Sequence, residues 1–154
     1  ADRHHPESPG DTGGNTRRVY VTPIETPYPH GKLIVSRTDT RGIMTQCNPS
    51  FVDMSGYGEA ELIGQPHCLL RHPDMPAAAF RDLWETVQAG RQWHGYVKNL
   101  RKDGAHYWVY ATAVPNVRGG SIVGYTSVRR KPSRKKIAEL SAVYADWLAQ
   151  EKAA

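Results

Sequence analysis

The chain has 154 residues, a formal net charge of +5 and 39% hydrophobic residues, which suits one domain with flanking segments. No window reaches the roughly 18 apolar residues of a membrane span, and no signal peptide opens the chain. We therefore expect a soluble cytoplasmic module, joined to a membrane only through parts of a longer gene product. The charge excess lies in a cationic run from Arg129 to Lys136, which predicts a solvated linker rather than a nucleic-acid-binding face.

The cysteines and histidines lack the spacing of a metal site. Cys47 and Cys68 provide no disulfide framework, so we expect two reduced thiols. His67 and His72 are five residues apart, a spacing that matches no common metal-ligand motif. The sequence therefore predicts no bound metal.

From residue 30 onward, turn residues divide the chain into short strands and helices. Alternating apolar residues predict strands, and apolar residues three or four apart predict helices. The predicted elements are strands over 33–37 and 43–47, helices over 49–56, 59–63 and 77–89, and strands over 93–100, 106–117 and 121–128. Residues 1–29 precede them as a flexible segment, because residues 1–15 have almost no apolar side chains to offset the entropy of ordering.

Two helix starts are marked in the sequence. Asn48 is a favoured N-cap and Pro49 suits the first helical position. Ser133 can cap a last helix, whose apolar stripe suits packing on a sheet or on the same helix of a second copy. The stripe consists of Ile137, Leu140, Tyr144, Trp147 and Leu148.

The element order predicts an α+β fold with one five-stranded antiparallel sheet, helices inserted after the second strand, and a C-terminal helix. We divide the chain into an N-terminal segment over 1–29, a central domain over 30–131 and a linker with a C-terminal helix over 132–154.

Residues 71–76, with the sequence Arg-His-Pro-Asp-Met-Pro, form a stiff charged loop before the third helix. Each proline biases the residue before it towards an extended conformation. Arg71 and Asp74 cannot easily be buried without partners, so they either pair with each other or meet a ligand. Loops of this kind are common binding sites.

Residues 30–131 resemble a PAS sensor domain, through the element order and the motifs Asn48-Pro49-Ser50-Phe51 and Ser55-Gly56-Tyr57. Within that family the chain is most similar to the flavin-binding domain of bacterial aerotaxis transducers. The motifs that carry this resemblance are Gly64-Gln65-Pro66-His67, the loop over 71–76, Ala79-Phe80, Leu83-Trp84, Val97-Lys98-Asn99 with Arg101-Lys102, and His106-Tyr107-Trp108-Val109.

The resemblance implies non-covalent FAD binding and redox sensing rather than catalysis. The matching positions of the family's flavin-binding residues are Arg71, His72, Asp74, Trp84 and Asn99, and Asn48 also matches a family position. The chemistry agrees, because Asn99 offers a donor and an acceptor, Trp84 offers stacking area, and Arg71 offers a fixed cation that favours a reduced, anionic flavin. The structural alternatives are that Trp84 belongs to the core, Asn99 ends a strand, and His72 pairs with Asp74.

Two other cofactor classes are alternatives to non-covalent FAD. Light-oxygen-voltage photosensors carry a reactive cysteine shortly after the glycine that corresponds to Gly64, but Cys68 lies one residue late and the Asn-Cys-Arg-Phe motif is missing. A haem PAS domain could use His72 or His94 as axial ligand. Haem leaves the tryptophan, the asparagine and the charged loop unexplained.

We therefore expect a redox input module that acts in aerotaxis or chemotaxis, forms a homodimer, and signals to an output domain on the same chain or to a receptor or kinase. The alternative is a cofactor-free PAS dimerisation module. An enzyme is not expected, because the sequence has no nucleophile–base constellation and no phosphate-cradling loop.

Overall fold

The computed structural model describes residues 19–153, so the predicted flexibility of residues 1–15 lies outside this part of the chain. The strands are β1 (Ile34–Thr38), β2 (Met44–Cys47), β3 (Trp93–Leu100), β4 (His106–Arg118) and β5 (Ser121–Arg130). The helices are α1 (Pro49–Ser55), α2 (Glu59–Leu62), α3 (Ala77–Gln88) and α4 (Arg134–Ala153), with a 3-10 helix over His67–Leu70 that the sequence analysis did not predict.

The five strands form one antiparallel sheet in the order β2-β1-β5-β4-β3. The helices between β2 and β3 cross from one edge of the sheet to the other. This architecture confirms the predicted α+β fold, including the helices after the second strand and the C-terminal helix.

Asn48 ties the first hairpin to α1. Its side-chain oxygen accepts hydrogen bonds from the backbone N–H of Phe51 at 3.0 Å and of Val35 at 3.1 Å, and its amide donates to the carbonyl of Leu33 at 3.0 Å. At the other end, Gly56 adopts φ 77°, the left-handed conformation that ends a helix without the steric cost of a Cβ. The predicted limits of α1 are confirmed.

The sheet has two covered faces. The inner face packs against α1, α3 and the 3-10 helix, and its largest fully buried side chains include Tyr107, Phe51, Ile34, Met44, Leu62 and Leu70. The outer face is contacted by α4. There the Tyr144 ring stacks on Trp108 with centroids 6.3 Å apart, and the Tyr144 hydroxyl donates to the carbonyl of Tyr96 at 2.8 Å.

The apolar stripe of α4 is thus covered by the chain's own sheet. Ile137 and Tyr144 are buried, whereas Trp147 is 39% exposed. Packing of α4 on the sheet is one of the two arrangements expected from the sequence. The homodimer stays a prediction.

The described part of the N-terminal segment lies beside the start of β4. The backbone N–H groups of Thr22 and Thr26 donate to the carbonyls of Gly104 and His106, at 2.9 and 2.7 Å. Glu25 forms a bidentate pair with Arg134 at the start of α4. These bonds attach residues before the predicted domain boundary at residue 30 to the domain.

β5 continues two residues beyond its predicted end, to Arg130. Because side chains alternate along a strand, Tyr125, Ser127 and Arg129 point to the inner face. Arg129 is only 4% exposed. The prediction that the cationic run from Arg129 onward is a solvated linker is therefore wrong for this residue.

Candidate functional site

The middle of the inner face has a floor of small residues. Gly95 lies opposite Ala111, and Ala113 lies opposite Ser127, so all four residues share the face that α3 covers. The indole of Trp93 bends over Gly95, where a Cβ would come within 2.3 Å of the ring. The Trp93 ring thus fills the space above Gly95, while Ala111, Ala113 and Ser127 carry no bulky side chain that would exclude a flat apolar ligand.

Trp84 projects from α3 towards this face. Its ring meets Tyr125 edge to face, with centroids 5.3 Å apart and an interplanar angle of 80°. The side chain is half-buried and packs against the core. The structure therefore gives Trp84 a core contact, while its position on α3 also leaves it available to a ligand on the inner face.

Asn99 lies on the inner face of edge strand β3, directly opposite Tyr107 of β4. Asn99 is 4% exposed and Tyr107 is fully buried. Within residues 19–153 the Tyr107 hydroxyl forms no hydrogen bond of good geometry, although the side chain of Asn99 opposite is near enough to act against the effect of burial on the Tyr107 pKa; the side-chain oxygen of Gln65 also lacks a hydrogen bond. Burial raises the pKa of Tyr107 to about 12, so the hydroxyl keeps its proton and is a donor. A buried polar atom that lacks a good hydrogen bond among residues 19–153 can be satisfied by a bound ligand.

Arg71 extends the sheet beside Asn99 through an antiparallel bridge. Its guanidinium lies over the Phe80 ring at 4.9 Å and donates to the carbonyl of Met75 at 3.4 Å. Arg71 and Asp74 therefore do not pair with each other, although such a pair was one of the two arrangements expected from the sequence.

His72 and Asp74 lie on the other side of the edge strand from Asn99. The Asp74 carboxylate meets Lys98 at 2.7 Å, and Lys98 alternates with Asn99 along β3. His72 is 3% exposed, its Nδ1 accepts from the backbone N–H of Asp74 at 3.0 Å, and its ring lies 5.9 Å from that of His106. The six predicted site residues thus separate into Arg71, Trp84 and Asn99 towards the inner face, His72 and Asp74 towards the outer face, and Asn48 at the start of α1.

The electrostatics of this loop follow from burial and from Lys98. Burial, reinforced by the positive charge of Lys98, lowers the pKa of His72 to about 4. For Asp74, burial acts to raise the pKa, but the hydrogen bond and charge of Lys98 outweigh it, and the net pKa is lowered. At neutral pH the loop therefore holds a neutral imidazole beside a charged carboxylate.

A buried polar cluster on the inner face was missed by the sequence analysis. Nη2 of Arg129 donates to Nε2 of His67 at 2.7 Å and to the Ser36 hydroxyl at 3.0 Å, and the guanidinium lies over the Phe51 ring at 5.1 Å. No carboxylate in the described part of the chain forms a salt bridge with Arg129. The alternation of side chains along β5 would place Arg129 on the inner face. The adjacent cations instead led to the interpretation of the whole run as a solvated linker.

The cluster holds one cation and one neutral imidazole. Burial and the Arg129 charge lower the pKa of His67 to about 3, so Nε2 acts as acceptor. Burial lowers the pKa of Arg129 to about 10, which still leaves the guanidinium charged at neutral pH. The inner face therefore contains a fixed positive charge that an electron-rich or anionic group could offset.

The free energy of unfolding is expected to fall as the pH decreases from 6.5 to about 4. The pKa values of His67 and His72 in the folded chain lie below the ordinary 6.5, so the unfolded chain binds more protons in this range. Each histidine should contribute about 1 kcal/mol per pH unit. Urea unfolding at several pH values measures the slope.

The double variant His67→Gln, His72→Gln should reduce this slope without abolishing it, because burial also lowers the pKa of His106. His94→Gln, at an exposed position, serves as the control for removal of a surface histidine. An undiminished slope in the double variant would show that these two imidazoles are not the groups kept neutral by burial.

Comparison with known proteins places the chain among sensory and regulatory domains. Residues 44–129 match the family model described as PAS fold. The chain is 49% identical over 125 residues to the Aerotaxis receptor of Escherichia coli, a match that covers 81% of this chain and 25% of that protein. It is 28% identical over 113 residues to the Nitrogen fixation regulatory protein of Klebsiella pneumoniae, covering 73% of this chain and 22% of that protein.

A solved structure from the work "Flavin Analogue Sheds Light on Light-Oxygen-Voltage Domain Mechanism" superposes with a TM-score of 0.62 and 21% identity, over 70% of this chain and 82% of that chain. At this identity the likeness concerns the fold alone. The chain spans about a quarter of the length of the curated relatives, at 25% and 22%. Within residues 19–153, no helix is both long enough and apolar enough to cross a bilayer.

Proposed function

The chain belongs to the PAS family, and from that premise we propose that it is a redox sensor module that binds FAD non-covalently on the inner face of its sheet. Its relatives include a receptor and a regulatory protein, so the chain is a sensor module rather than an enzyme. The observation that carries the FAD proposal is the set of small residues on the same face as the buried pair Asn99 and Tyr107, whose hydroxyl forms no hydrogen bond of good geometry within the described residues.

The residues of the inner face fit a flavin. Asn99 supplies an amide donor and acceptor for the polar edge of the ring, and Tyr107 supplies a protonated hydroxyl beside it. Trp84 supplies an aromatic edge from α3. When bound, FAD supplies reversible electron transfer, and its ring becomes more electron-rich on reduction.

Arg129 is the residue on which we expect the redox response to depend most. It is a buried cation without a carboxylate partner among residues 19–153, and it shares the inner face with Ala111, its partner across the strands. A fixed cation favours whichever form of a neighbouring group carries more negative charge. We therefore propose that Arg129, rather than Arg71, is the fixed cation that favours a reduced, anionic flavin. The guanidinium of Arg71 lies over Phe80 instead.

We also propose a signalling output for this module. The Escherichia coli relative is by its name a receptor for aerotaxis, which supports a function in aerotaxis or chemotaxis signalling. We propose that the module acts on an output domain of the same polypeptide, or on a receptor or kinase, and that it does so as a homodimer.

The purified protein is expected to be yellow and to release FAD on denaturation. The absorption spectrum identifies a flavin, and chromatography of the released compound distinguishes FAD from FMN. If the protein released haem or FMN instead, that compound would replace FAD as the proposed cofactor. Colourless protein that also fails to bind added FAD would contradict the redox sensor and leave the cofactor-free dimerisation module.

A further inference from the structure

Helix α3 lacks an N-terminal cap of its own. The residue before it is Pro76, which has no side-chain acceptor, and the first turn contains no acidic residue. The first backbone N–H groups of a helix have no partner within the helix and are stabilised by an acceptor or a negative charge. Residues 77–79 are all alanine, so the local sequence supplies neither.

The missing acceptor comes from the far end of the chain. One carboxylate oxygen of Glu151 accepts from the backbone N–H of Ala77 at 2.9 Å, and the other accepts from that of Ala78 at 2.9 Å. Glu151 lies in the last turn of α4, more than 70 residues away in sequence. We call this bidentate contact the Glu151 cap.

The Glu151 cap connects two functional elements. Through Tyr144, which donates to the carbonyl of Tyr96, α4 is fixed to the outer face of β3. Helix α3 begins directly after the loop over 71–76 and carries Trp84. The last turn of α4 is therefore bonded to the same helix that positions the proposed flavin-binding residues.

We propose that Glu151 is a positioning residue that couples the docking of α4 to the cofactor site. While the cap is formed, α4 is held on the sheet, and the start of α3 and the preceding loop are held in the geometry described above. When the cap opens, the end of α4 leaves the domain. The coupling to FAD rests on the proposed function, whereas the cap itself does not.

Two physical effects oppose a glutamate at this position. A negative charge in the last turn of a helix interacts unfavourably with the helix dipole, and alanine has a higher helix propensity than glutamate. Replacing Glu151 by alanine should therefore stabilise an isolated α4. A loss of α4 stability in that variant can come only from the lost contact with α3.

Hydrogen exchange on the full chain as purified tests the cap. In Glu151→Ala, the amides of the last two turns of α4 and of Ala77 and Ala78 are expected to exchange about tenfold faster, because hydrogen bonds to a charged acceptor are lost. Glu151→Gln keeps one acceptor and should show a smaller increase. Glu139→Gln, which removes an exposed carboxylate of the same helix, should show none.

The core strand β4 serves as internal reference. Unchanged protection in β4 together with faster exchange at both helix ends supports a local cap, whereas equal acceleration everywhere would indicate general destabilisation and overturn the proposal. Unchanged exchange of α4 in Glu151→Ala would also overturn it.

FAD titration into the flavin-depleted full chain tests the coupling. Because coupling is reciprocal, FAD should slow the exchange of the α4 end, and Glu151→Ala should in turn weaken FAD binding, by about three- to tenfold. Equal FAD affinity in the wild type and Glu151→Ala would refute the coupling and leave the cap. Failure of the wild type to bind FAD would refute the proposed function and the coupling, while the exchange result would stand.

Discussion

Replacing Asn99 by leucine is expected to weaken FAD binding by about 10- to 100-fold, because a buried hydrogen-bonding group of the ligand then loses its partner. The fold should tolerate the change, since leucine has a similar size and Asn99 already lies on a buried face at 4% exposure. Trp84→Leu should likewise weaken binding, through lost aromatic contact. Fluorescence titration measures the affinity, and urea unfolding measures the stability.

Phe80 and Leu83 provide controls on the same helix as Trp84. Both are partly buried and pack against the core, so their truncation to alanine should lower the free energy of unfolding, towards the lower part of the roughly 2–5 kcal/mol range for core residues. Their FAD affinity, measured below the unfolding transition, should change less than that of Asn99→Leu. Equal loss of stability in all four variants, with flavin retained in the folded fraction, would mean that Trp84 is a core residue and Asn99 is incidental.

Replacing Phe51 by alanine is expected to lower the free energy of unfolding by about 3–5 kcal/mol, the largest effect on stability anticipated here. Phe51 is fully buried in α1, its ring meets His67 edge to face at 5.8 Å, and Arg129 lies over it at 5.1 Å. The truncation leaves a cavity and removes the aromatic face that supports a buried cation. Chemical unfolding at neutral pH measures the loss.

Phe51→Leu keeps most of the volume and should cost about 1–2 kcal/mol, which separates the cavity from the ring. Val52→Ala is a control in the same helix, at a partly buried position. A loss below 1 kcal/mol in Phe51→Ala would show that the Arg129 cluster does not depend on this ring.

Several features follow from local sequence because their causes are local. Asn48 caps α1 as expected, since an asparagine side chain reaches the N–H three residues later whatever surrounds it. The turn at Gly104 and the helix end at Gly56 follow from the ease with which glycine adopts positive φ. The strands and the longer helices likewise follow from the spacing of apolar residues, so the α+β fold was predictable.

The environment of each charged side chain was not predictable in this way. Arg71 and Asp74 are close in sequence, yet Arg71 meets Phe80 while Asp74 meets Lys98 across the edge strand. Which partner a charge meets depends on which face of the sheet the loop reaches, and the sequence pattern of the loop does not contain that information.

The sequence by itself determined the strands, the main helices, the Asn48 cap of α1 and the identity of the residues that resemble a flavin site. Only the tertiary structure decided that Arg129 is buried with His67, that His72 and Asp74 lie apart from Asn99, and that Glu151 caps α3. Each of these outcomes joins residues that are distant in sequence or on opposite faces of one strand. Such contacts depend on strand register and on the docking of α4, which are set by packing of the whole domain rather than by local propensity.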